Sequence, residues 1–106
     1  MTTDLLGFQT TQHHSLDATG NRDFLIEALA AVAAMQSTFS RLATEFILFS
    51  SYEYRTVTQD DAFAMGSSMM PQKKNPGPCE LLRGRTGAVN GYLMGALTML
   101  HGLPSG

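Results

Sequence analysis

With 106 residues and 11.5 kDa, the sequence has the mass of one small domain, and 43% hydrophobic against 15% charged residues places it with globular rather than disordered chains. The formal net charge of −2, with no basic cluster larger than Lys73-Lys74 or Arg83-x-Arg85, argues against nucleic acid or an anionic membrane surface as a partner. Cys79 is the single cysteine, which rules out an internal disulfide or a cysteine-rich zinc motif and makes a reducing compartment, the cytoplasm, the default location.

Residues 1–21 mix Gly, Thr, His, Asp and Asn without a sustained period and read as an irregular approach to a helix. They hold neither the basic nor the apolar region of an export signal. Seven methionines and no tryptophan point to long packed helices rather than a sandwich. The first helix is expected over 22–50, with Asn21 as cap and Asp23 in the first turn. Leu25, Leu29, Val32, Met35, Phe39, Leu42, Phe46 and Phe49 recur at alternating three- and four-residue steps, close to the 3.5 period of left-handed bundle packing. A slimmer line of Ile26, Ala30, Ala33 and Ile47 runs beside it. Such a helix is a rod of roughly 43 Å at 1.5 Å per residue, longer than a globule of this size needs. It wants neighbours. Glu27, Gln36, Arg41 and Glu45 interrupt its apolar run, so it is not a membrane span.

After the short, partly β-branched run YEYRTVTQDD comes a loop over 62–78 with two glycines and three prolines. A second long helix is expected from about Pro78, with Glu80 suited to its positive N-terminal end, to about His101. Within it Gly84, Gly87, Gly91 and Gly95 fall roughly on one face, each costing about 1 kcal/mol of helix propensity relative to Ala. That cost implies close approach of another helix, while Leu82, Val89, Leu93, Leu97 and Leu100 form a greasier face. The closing run Gly-Leu-Pro-Ser-Gly reads as a truncation rather than a finished end.

Chemistry concentrates in Gly66-Ser67-Ser68-Met69-Met70-Pro71-Gln72-Lys73-Lys74-Asn75-Pro76. Two hydroxyls, two amides and two ammonium groups in so short a stretch are donors for anionic oxygens, so a carboxylate-rich ligand suits them. The pattern is not a Walker phosphate loop. On composition alone a solvated polar loop is the plain alternative.

The string GSSMMPQKKNP resembles the fumarase/aspartase superfamily signature GSSxMPxKxNP at every fixed position. SLDATGNRDFLIEALAA, DDAFAMGSS and ELLRGRTGAVNGYLMGALTMLHGLP are similar to segments of one member, the argininosuccinate lyase family. The resemblance implies an all-α fold, with this chain as a fragment of a central helical domain whose signature loop lies between two long helices. It implies cofactor-free β-elimination of argininosuccinate to arginine and fumarate, in the cytoplasm, by a homotetramer whose active sites draw on three subunits. Ser67 would be the base, Lys73 would stabilise the aci-carboxylate, and Glu80 would pair with a catalytic histidine. Asn75 would bind the fumaryl carboxylate, with Ser68, Met70 and Gln72 shaping the closed loop and Arg22 meeting a substrate carboxylate. No metal is implied.

The sequence departs from the family at His14, Asn21 and Met65, where Asn, Asp and Thr are usual. The family's catalytic histidine lies in an upstream segment with no counterpart here, so the chain alone is expected to be inactive. His13-His14 lacks a third ligand at metal-binding spacing. A helical oligomerisation module or another superfamily lyase remains the competing reading. For Glu80 the competing role is helix capping, and for Arg22 a surface ion pair.

Overall fold

The computed structural model describes residues 2–70 and 72–104. In chain order these form α1 (Thr2–Leu5), α2 (Ser15–Gly20), α3 (Asp23–Phe49), β1 (Met65–Gly66), β2 (Lys74–Asn75) and α4 (Gly77–Leu100). The architecture is all-α, dominated by the antiparallel pair α3 and α4, with a minimal hairpin on the connection between them. Pro71 lies outside the described residues.

Two features of the N-terminal segment are more regular than composition suggested. His14 caps α2, its Nδ1 accepting the Asp17 backbone N–H at 3.2 Å, and Arg22 ties off the helix end by donating to the Thr19 and Asn21 carbonyls at 2.8 and 2.9 Å. Six residues held at both ends by side chains need no long apolar stripe to be helical. Asn21 works at the start of α3 as expected, but from one position before the cap residue Arg22: its Oδ1 accepts the Asp23 backbone N–H at 2.7 Å.

The face by which α3 meets α4 is not the greasiest one. Ala33 and Ala43 are buried, at 7% and 2% exposure, and Ile26, Leu29, Gln36, Ser40, Ile47 and Ser50 are half-buried. These eight positions step by three and four residues throughout, a heptad seam in which half the side chains are Ala or Ser. Cys79, Thr86, Val89, Leu93, Ala96 and Leu100 form the facing row on α4. Mid-seam, Gln36 Nε2 donates to the Leu82 carbonyl at 3.0 Å and to Thr86 Oγ1 at 3.4 Å, which pins the register between the helices. Apart from Leu29, which belongs to the seam, the Leu25–Phe49 stripe lies one row over, with Phe39 and Phe46 each 41% exposed.

The glycines of α4 do not receive α3. A Cβ built at Gly84, Gly87, Gly91 or Gly95 would meet nothing within 4 Å, so the close approach expected at this face is not made inside the chain. Gly77 behaves differently: it is buried, and a side chain there would overlap Cγ and Sδ of Met65, so its lack of a Cβ lets β1 lie against the first turn of α4. Pro78 sits in that first turn, where no backbone N–H is needed.

Candidate active site

The signature residues form a hairpin rather than an open loop. β1 and β2 pair antiparallel, Met65 opposite Asn75 and Gly66 opposite Lys74. Ser67 follows Gly66 and Lys73 precedes Lys74, so the two flank the last pair of the ladder on facing arms of the hairpin. Ser67 is half-buried, and its Oγ accepts the backbone N–H groups of Met69 at 3.3 Å and Met70 at 3.4 Å. Two converging amides form a small anion-stabilising nest, each contributing about 1.5–3 kcal/mol once the acceptor carries charge. The Lys73 backbone N–H closes the turn on the Met70 carbonyl at 3.0 Å.

The two lysines are not equivalent. Lys74 Nζ is paired with the Asp61 carboxylate, which anchors the hairpin to the preceding segment. Lys73 makes no ion pair with a described residue. An open cleft of about 620 Å³ runs beside the hairpin, walled by Gln72, Lys73 and Asn75, by Glu80 from α4, and by Ser51 and Arg55 from the end of α3. Glu80 reaches that wall from the first turn of α4, its backbone N–H bonded to the Pro76 carbonyl at 3.0 Å.

The structure therefore brings Lys73, Gln72, Asn75 and Glu80 to one cleft, with Ser67 across the hairpin from Lys73. Ser68 and Met70 are exposed on the hairpin tip. Arg22 is not among them. It lines a separate cleft with Asp17, Asn21, Asp23, Leu100 and Leu103, at the other end of the 27-residue α3. That helix alone spans about 40 Å, so Arg22 and Ser67 of one chain cannot share a small ligand. Arg55, like Ser51 and Tyr52, is a cleft residue that the sequence did not single out; a lone cation in a run of aromatic and β-branched residues carries no spacing signal.

A protein-family model described as lyase matches residues 2–91. The chain belongs to the lyase family. Among curated relatives of this lyase, argininosuccinate lyase of Geobacillus thermodenitrificans is 54% identical over 103 residues, covering 97% of this chain and 22% of its own length. Argininosuccinate lyase of Streptococcus uberis is 50% identical over 104 residues, covering 98% of this chain and 23% of its own. A solved EDDS lyase variant with bound fumarate superposes with a TM-score of 0.88 at 38% identity, across 98% of this chain and 21% of that one. The chain thus spans about a fifth of the length of the relatives it matches.

Proposed function

We propose that this chain provides the serine-loop portion of an argininosuccinate lyase site, catalysing cofactor-free elimination of argininosuccinate to arginine and fumarate. The observation that carries the reading is the hairpin that holds Ser67, with two amides on its Oγ, on one arm and Lys73, without an ion pair among the described residues, on the other. Identity above 50% to argininosuccinate lyases supports the substrate, and the fumarate bound by the EDDS lyase relative supports a dicarboxylate client.

In this reading Ser67 removes the proton beside a carboxylate of the succinyl half, the electrons delocalise into that carboxylate, and the carbon–nitrogen bond then breaks to leave fumarate. Amides and a cation fixed in place before the reaction stabilise the doubly charged intermediate better than mobile water does. Lys73 faces the aci-carboxylate, Asn75 binds a fumaryl carboxylate, and Ser68, Met70 and Gln72 shape the loop as it closes. The proton for the departing nitrogen comes from a histidine outside this chain, with Glu80 as that histidine's partner. Arg22, remote within one chain, serves the site of a neighbouring copy in a homotetramer, with this chain forming part of the central helical domain. No helix among the described residues is long and apolar enough to cross a membrane, and cytoplasmic location accords with the single free cysteine.

The test is a chimera in which this chain replaces the matching stretch of the Geobacillus thermodenitrificans enzyme. Fumarate release from argininosuccinate is expected. An assembled chimera that leaves argininosuccinate intact sinks the reading, and one that instead cleaves ethylenediamine-disuccinate places the chain with the lyase represented by its structural relative.

A further inference from the structure

We propose that Arg55 is a substrate-positioning residue, forming an ion pair with a carboxylate of the fumaryl half in the cleft beside the Ser67 hairpin. The inference rests on the lyase reading above. Among the described residues Arg55 is the one non-glycine with a positive φ, +45°. It closes a turn after α3 in which its N–H donates to the Ser51 carbonyl at 2.9 Å, a left-handed position that glycine or asparagine fills with least strain. An arginine held there against its own sterics points to a use for the side chain.

That side chain is held ready and unspent. Its guanidinium carbon lies 3.8 Å from the centroid of the Tyr52 ring, a stacking arrangement that fixes the plane of the fork and leaves its edge donors available. It makes no ion pair with a described carboxylate. With Lys74 neutralised by Asp61, Arg55 and Lys73 are the two cations of the cleft wall still lacking a partner among described residues, and Asn75 lies on the same wall. The buried Ser51 Oγ, also on that wall, has no hydrogen-bond partner there. Two cations and the amides of Gln72 and Asn75, against the single carboxylate of Glu80, leave this wall suited to an anionic ligand.

The rival explanation is that Arg55 on Tyr52 only braces the turn. Arg55→Gly separates the two, because glycine relieves the left-handed strain while removing the fork. In the chimera described above, Arg55→Gly is expected to raise both KM for argininosuccinate and the inhibition constant for fumarate about ten-fold, the loss expected of one charge-assisted contact, with a smaller change in kcat and no fall in melting temperature. Arg55→Lys, which keeps charge without the planar fork, should fall between. Unchanged KM and fumarate inhibition in Arg55→Gly overturn the proposal. Should the unsubstituted chimera not turn over, the lyase reading fails by itself, and calorimetric binding of fumarate to the two proteins decides the role of Arg55: equal affinity overturns it, and weaker binding by Arg55→Gly supports it.

Discussion

At the scale of single residues, the hairpin sorts groups that look alike in the sequence. Ser67 and Ser68 are adjacent hydroxyls, yet Ser67 is the one that collects two backbone amides while Ser68 is exposed. Lys73 and Lys74 are adjacent ammonium groups, yet Lys74 is committed to Asp61. In the proposed elimination a base needs stabilisation of its charged form and the intermediate needs a cation whose charge is not already used, so those roles are proposed for Ser67 and Lys73. Ser67→Ala in the chimera is therefore expected to lower kcat by orders of magnitude while KM changes little, since the methyl removes the proton acceptor and leaves the carboxylate contacts. Retention of near-parental turnover would remove Ser67 from the mechanism.

At the scale of elements, α3 carries two parallel stripes of the same period with different tasks. The seam of small residues allows the axes of α3 and α4 to approach closely, and its midpoint is locked by Gln36. Ala43, at 2% exposure, has no room to grow. Ala43→Leu should force the helices apart and destabilise the pair by about 1–3 kcal/mol, visible as a lower melting temperature of the chimera. Met35→Phe, an enlargement at a position that is 50% exposed on the outer stripe, is expected to have no effect through the α3–α4 seam. Ser68, Met69 and Met70 of the hairpin are exposed, while the proposed elimination requires exclusion of water. Amide exchange over 64–75 should consequently slow when fumarate binds the chimera, and equal exchange with and without fumarate counts against closure over the ligand.

The whole molecule is elongated. Its radius of gyration of 22.0 Å compares with about 13 Å for a compact chain of this length. Its accessible surface of 8718 Å² exceeds by about 2,900 Å² what a compact monomer of 11.5 kDa shows. An excess of that order is comparable to what obligate interfaces bury, and the apolar outer stripe of α3 and the open glycine face of α4 are where it lies. In isolation the chain is expected to self-associate or lose helicity on dilution, measurable by sedimentation and circular dichroism. It should also release no fumarate from argininosuccinate, because a base without a proton donor for the leaving nitrogen cannot complete the elimination. Turnover by the 106-residue chain alone would overturn the shared-site reading.

Several of these features are legible in the residues themselves. The first long helix follows from unbroken three- and four-residue apolar spacing and the second from a looser apolar row behind Pro78, and their ends, Asp23–Phe49 and Gly77–Leu100, lie within a residue or so of where caps and prolines put them. The chemistry of GSSMMPQKKNP is legible because its donors are contiguous, so their types and order survive any conformation that keeps the stretch together. Which stripe of α3 would become the internal seam was not legible: hydrophobicity ranks the Leu and Phe row first, whereas contact between antiparallel helices favours the row whose side chains permit close approach. Strands of two residues are too short to show a period, so the hairpin whose arms carry Ser67 and Lys73 exists only once β1 and β2 pair. The recruitment of Arg55 to the cleft, and the removal of Arg22 to the far end of α3, are likewise decisions of the tertiary structure, since a rigid rod separates residues at its two ends and a turn at one end gathers residues that no spacing rule connects.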